Sequence, residues 1–161
     1  MTEVPPGAES DVPPTHAKRL RRLTHVWAGD RFARYFLTAC TANRAKVLAN
    51  ADYHERFRAF LLSSPSRYGW HPLRYLVMLD HIHLLAVSAG QSSLGEWMKA
   101  LKAITGQRVV RWQPGYFDHV LRSEESESEK WLYVEENPVR ARLVKRAEDW
   151  PFAGEIRFDT E

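Results

Sequence analysis

Apolar residues change their spacing several times along the chain, and each change predicts an element. The segment RFARYFLTACT (31–41) is rich in aromatic and β-preferring residues and predicts a first strand. From Asp52 to Leu62 the apolar positions Tyr53, Phe57, Phe60 and Leu61 recur at helical spacing, with Asp52 placed to cap the start. SSPSRYGW is expected to break that helix. LRYLVML (73–79) and HIHLLAV (81–87) are short apolar runs that predict two strands joined by a tight turn at Asp80. Ser92 and Ser93 open a helix expected to reach about Val110. Leu94, Trp97, Met98, Leu101 and Ile104 lie along one face of it, and Lys99, Lys102, Arg108 and Arg111 surround the other.

WQPGYFDHVLR (112–122) holds a Pro-Gly turn and then a strand. SEESESEKWLYVEEN (123–137) predicts a helix whose acids sit in the first turns, where the macrodipole favours them. Asn137-Pro138 ends that helix, because the residue before proline is pushed out of the α region. Pro138 then starts a short helix over VRARLV. The order β, α, β, β, α, β, α predicts an α+β fold, an antiparallel sheet with helices packed on one face. Ferredoxin-like topology is the nearest common example.

Composition narrows the picture. A chain of 161 residues with 44% hydrophobic residues suits one domain with a proper core. Residues 1–15 (MTEVPPGAESDVPPT) hold four prolines and little that could pack, so a disordered tail is expected. HAKRLRRLTH (16–25) is a basic arm carrying Lys18, Arg19, Arg21 and Arg22. The domain proper is expected over 26–154, with a tail at 155–161. Cys40 is the single cysteine, which excludes a disulfide framework or a cysteine zinc cluster and fits a reducing cytoplasm. No apolar run approaches the ~20 residues of a membrane span, so no membrane partner is expected. The start of the chain carries no apolar signal core. A formal net charge of +3 permits an anionic partner without demanding one.

The candidate chemistry begins at LDHIHLL (79–85). Successive strand side chains alternate faces, so His81 and His83 point one way and Ile82 and Leu84 the other. Two imidazoles on one face can share a metal ion, or they can be hydrogen-bonded strand histidines. Tyr133 and Asn137 are four apart and share one helix face. An asparagine oxygen suits Mg²⁺ or Mn²⁺, and a phenol can attack phosphorus. Equally, Tyr133 can be a core residue and Asn137 a cap for the following helix.

The stretches MLDHIHLL, WMKALKAITG, WQPGYFDHVLRSEES, YVEENPVRARLV and DWPFAG occur in that order between about Phe32 and Gly154. Together they resemble the REP-associated tyrosine transposases, bacterial relatives of the HUH single-tyrosine transposases. The resemblance implies an HUH endonuclease fold, with the HUH pair at His81 and His83, the nucleophile at Tyr133 and a third metal ligand at Asn137. It implies cleavage and rejoining of single-stranded hairpin DNA through a 5′-phosphotyrosine, with Mg²⁺ or Mn²⁺ and no ATP. A bacterial, cytoplasmic, nucleoid-associated protein acting as monomer or homodimer is expected.

DNA contacts are expected from Lys18, Arg19, Arg21, Arg22, Lys99, Lys102, Arg108, Arg140 and Arg142, with Trp112 and Tyr116 as stacking platforms. His119 is a candidate contributor to removing the tyrosine proton, or else a structural hydrogen-bonding histidine. Two positions depart from the family pattern. Leu79 stands where many relatives have proline, and Arg142 where many have glycine. Both bear on loop shape rather than on the proposed chemistry. The alternatives are a hairpin binder that has lost catalysis, a larger-type nickase, and a hydrolytic metalloenzyme that would not need Tyr133.

Overall fold

The computed structural model describes residues 33–88, 90–121 and 124–158. One antiparallel sheet contains β1 (Arg34–Cys40), β2 (Trp70–Val77), β3 (His81–Ser88), β4 (Phe117–Leu121) and β5 (Ala153–Glu155), in the order β4-β1-β3-β2-β5. With α1 (Ala51–Tyr68) after β1 and α2 (Leu94–Gly106) after β3, the first four strands have the expected ferredoxin-like arrangement. A short β5, not expected from sequence, extends the β2 edge through pairs from Arg74↔Glu155 to Leu76↔Ala153.

The period of two along the strands sorts side chains onto two cores. Leu37, Ala39, Ile82 and Leu84 meet Phe57 and Leu61 of α1 and Trp97 and Leu101 of α2. Their neighbours Phe36, Leu76 and Leu85 face the other way and meet Trp131 and Val134 of α3 (Glu124–Glu135). Helices α1 and α2 thus make the expected layer on one face, and α3 adds a layer on the opposite one. The apolar residues of α3 are the contiguous run Trp131–Val134, so the sequence pattern does not show which of them, Trp131 and Val134, turn to the sheet.

Several boundaries differ from the sequence reading. Asn50, not Asp52, caps α1 by accepting from the Tyr53 N–H at 2.9 Å. Asp52 lies inside the first turn, where the macrodipole favours an acid. The expected break falls at the far end of SSPSRYGW, not at its proline: α1 runs through Pro65 to Tyr68. Tertiary packing outweighs the missing proline N–H there. Ser64 is fully buried, its hydroxyl donates to Phe60 O at 2.9 Å, and it receives the Trp97 indole N–H at 3.0 Å. The helix stops at Gly69, whose φ of +71° is left-handed; a Cβ there would lie 2.7 Å from Gln91 Cβ.

Helix α2 opens with a capping box between Ser93 and Glu96, but it ends at Gly106 rather than near Val110. Gln107 and Arg108 turn left-handed, with φ of 46° and 63°, and Val110 drops into the core. Arg108 and Arg111 therefore lie beyond the helix. The tail expected from 155 is tied down as far as Phe158. Glu155 belongs to β5, Ile156 is buried, and Phe158 packs on the core.

Candidate active site

One row of paired residues crosses the whole sheet: Phe117, Thr38, His83, Leu76 and Ala153. His83 sits at its centre, on the face that α3 covers. His81 is two positions earlier on the same strand, paired with Cys40, and the two imidazole rings lie edge to face at 4.8 Å. Both are buried. The strand alternation that predicted a shared face is therefore what the sheet delivers.

Each ring is held on its Nδ1 side. His81 Nδ1 lies 2.8 Å from Asp80 Oδ1, and the other Asp80 oxygen accepts from Arg44 Nε at 2.9 Å. Burial works to raise the Asp80 carboxyl, but the hydrogen bonds from His81 and Arg44 outweigh it and hold the group well below the usual carboxylate range. His83 Nδ1 lies 2.9 Å from Thr38 Oγ1. Burial, and then the positive charges of His81, Lys130 and Arg140, pull His83 well below its ordinary value. It is a neutral imidazole at neutral pH, the form that ligates metals.

The facing wall comes from the junction of α3 with α4 (Asn137–Arg140). The helical path is interrupted at Glu136, one residue before the expected stop. Asn137 is itself helical and opens α4 with Pro138 in its first turn, and α4 ends at Arg140 instead of running over VRARLV. Asn137 is 8% exposed, and its Nδ2 donates to His83 Nε2 at 3.2 Å. Its Oδ1 accepts from Arg140. The Arg140 guanidinium also lies 3.9 Å from the centre of the Tyr133 ring. Tyr133 is 48% exposed, so it is not a core residue.

His81 Nε2 is buried without a hydrogen-bond partner. An orphaned imidazole nitrogen in an otherwise satisfied polar cluster fits a ligand position, because leaving it empty costs free energy. Among the described residues, no group of three His, Cys, Asp or Glu side chains could hold a metal ion. An ion at this place would therefore need His81, His83 and the amide of Asn137. That oxygen-containing set suits Mg²⁺ or Mn²⁺.

The basic residues distribute unevenly. Arg140 is at the site, and Arg142 is exposed just beyond α4. Lys99 and Lys102 belong to α2, which packs on the opposite face of the sheet, and Arg108 follows it. Lys102 donates to the carbonyls of Gln113 and Gly115, and burial pulls its ammonium down to about 8. Trp112 and Tyr116 pack against the core on that same side, and Trp112 Nε1 donates to Lys102 O. His119 is exposed on β4 and pairs with Phe36 across the strands, so it lies on the face of the histidines. Lys18, Arg19, Arg21 and Arg22 lie outside the described residues. Thr38 and Asp80, which orient the imidazoles, were not singled out as site residues from sequence. Asp80 adjoins His81 in the chain, but Thr38 reaches His83 only through strand pairing.

A ferredoxin-like sheet with two imidazoles facing a helix junction that carries tyrosine and asparagine is the setting in which the comparisons fall. The family described as "Transposase IS200 like" matches residues 32–137, and the chain belongs to that family. Among its relatives, the REP-associated tyrosine transposase of Escherichia coli K12 is 24% identical over 123 residues, covering 74% of each protein. The solved structure of a REP-associated tyrosine transposase bound to a REP hairpin superposes with a TM-score of 0.63 at 19% identity. That likeness covers 76% of this chain and 75% of that one. No helix among the described residues is long and apolar enough to cross a membrane.

Proposed function

We propose that this chain cuts single-stranded hairpin DNA and rejoins it through a covalent link to Tyr133. The observation that carries the reading is the buried cluster of His81, His83 and Asn137, with one imidazole nitrogen left without a partner, next to a half-exposed tyrosine on the adjoining helix. The family of transposases, and a fold shared with a hairpin-bound relative, support the substrate class.

A divalent ion held by His81, His83 and Asn137 would polarise a phosphate oxygen as a Lewis acid. The protein supplies the rest. Thr38 and Asp80 hold the two rings at Nδ1 and so leave each Nε2 as the nitrogen that could ligate. Tyr133 Oη forms a bond to phosphorus, and the bond from phosphorus to the 3′ oxygen breaks. The phenol proton is lost, and the leaving strand ends as a 3′-OH. Attack by another 3′-OH reverses these steps and frees Tyr133. The phosphoester is exchanged rather than hydrolysed, so no nucleotide triphosphate is consumed. Arg140, which rests on the Tyr133 ring in the ion-free site, is a cation within reach of the phosphate that the phenol would attack.

The test is a denaturing gel of a labelled single-stranded hairpin incubated with Mn²⁺ and the full chain. A covalent protein–DNA band is expected for the wild type and absent from Tyr133→Phe and His81→Ala. Hairpin binding with no covalent band at any metal concentration would leave a DNA-binding protein that has lost catalysis. Cleavage that survived in Tyr133→Phe would point to metal-assisted hydrolysis.

A further inference from the structure

We propose that Arg140 is a positioning residue that competes with the divalent ion for the carbonyl oxygen of Asn137. The inference rests on the reading of His81, His83 and Asn137 as ligands.

The argument follows from which atoms can donate. A guanidinium has only donors, so the atom of Asn137 that faces Arg140 is Oδ1. That choice turns Nδ2 toward His83 Nε2, at 3.2 Å. His83 Nε2 must then accept, so its proton is on Nδ1 and is donated to Thr38 Oγ1 at 2.9 Å. The result is one directed chain: Arg140 to Asn137 to His83 to Thr38. In this chain, two of the three ligand positions satisfy other protein groups. The lone pair of His83 Nε2 receives the Asn137 amide, and the Asn137 oxygen receives Arg140. His81 Nε2 alone is left without a partner.

An ion cannot join this arrangement unchanged. It needs the His83 lone pair and the Asn137 oxygen on the same side, whereas Nδ2 now faces His83. Turning the amide over would set Nδ2 against Arg140, donor against donor, and the guanidinium would have to leave. In this geometry, loading the site and keeping the Arg140–Asn137 bond compete for the orientation of one amide. Displacing Arg140 also lifts it from the Tyr133 ring, 3.9 Å away. Ion binding would in this way release the nucleophile and a phosphate-binding cation together.

The experiment is calorimetric titration of Mn²⁺ into the DNA-free full chain. Arg140→Met keeps an apolar side chain against the Tyr133 ring but cannot donate. It is measured in the Asn137 chain and in an Asn137→Asp chain, where one oxygen can face the ion while the other keeps Arg140. Circular dichroism melts confirm folding, with Arg140→Gln as the replacement where Met unfolds the chain. Removing a charged competitor from Asn137 should tighten Mn²⁺ about tenfold in the Asn137 chain and change it little in the Asn137→Asp chain. Equal tightening in both chains would mean a simple charge effect and overturn the proposal, as would unchanged or weaker binding in the Asn137 chain. His81→Ala serves as the separate control. Identical titrations of wild type and His81→Ala would overturn the ligand assignment itself.

Discussion

Each imidazole at the site is held by a partner on the nitrogen that would not touch an ion, and these partners are where single substitutions should have their largest effect. Thr38 lies beside His83 in the sheet and is buried. Thr38→Val keeps the shape but leaves the His83 Nδ1–H unsatisfied, which should cost about 1–3 kcal/mol of stability. It should also weaken Mn²⁺ binding about 10–100-fold, since the ring loses what orients it. Thr38→Ser, which keeps the hydroxyl, should restore most of both. Parallel melts and Mn²⁺ titrations of the two variants check this, and equal affinities in Val and Ser would remove Thr38 from the site. At this scale the sequence was informative wherever periodicity governs. His81 and His83 share a face because a strand has period two; Tyr133 and Asn137, expected on one helix, fall on α3 and α4 and are linked through Arg140. Thr38 was not legible, because its role depends on the register of β1 against β3, which no local pattern encodes.

Among the elements, the helix ends carry the clearest stability predictions. Ser93 caps α2 and exchanges hydrogen bonds with Glu96 in both directions. Ser93→Ala should cost about 1 kcal/mol in a denaturant melt. The backbone and side chain of Ser93 hold the Glu96 carboxyl below its ordinary value. A carboxyl whose folded value is depressed stabilises above the unfolded value, and its contribution fades as pH falls through the folded one. The stability gap between wild type and Glu96→Gln should thus be present at pH 7 and close as pH drops below about 4.5. A gap unchanged down to pH 3 would dissociate Glu96 from the cap. Gly69→Ala should cost about 1–2 kcal/mol from its left-handed φ, with the contact to Gln91 adding to that. The start of α2 was legible at Ser92 and Ser93; the reciprocal bond from Glu96 was not singled out. The length of α1 was not, because Pro65 is a local stop signal that the burial of Phe60, Leu61 and Ser64 overrides. Nor was β5, whose three residues are too few to show an alternation.

For the molecule as a whole, the sheet divides the basic residues into two populations. The histidines, Asn137 and Arg140 occupy one face, while α2 with Lys99 and Lys102 covers the other. A strand whose scissile phosphate reaches His83 would meet Arg142 before Lys99. Charge runs in the sequence identified these cations but not their side of the sheet, because that depends on how the helices pack. Arg142 offers the sharpest test, since binding and stability should move in opposite directions there. Its φ of 59° is left-handed, a conformation that favours glycine. Arg142→Gly should relieve that strain and stabilise the fold by about 0.5–1 kcal/mol, part of the gain being offset by the freer unfolded chain. The same change should weaken hairpin binding and reduce the slope of log affinity against log salt by about 0.7, the loss of one single-strand phosphate contact. Lys99→Ala, on the far face, should leave that slope unchanged. A slope that fell for Lys99→Ala and not for Arg142→Gly would place the DNA on the α2 side, away from Tyr133. Binding on that side would then have to be reconciled with cleavage by a second contact surface.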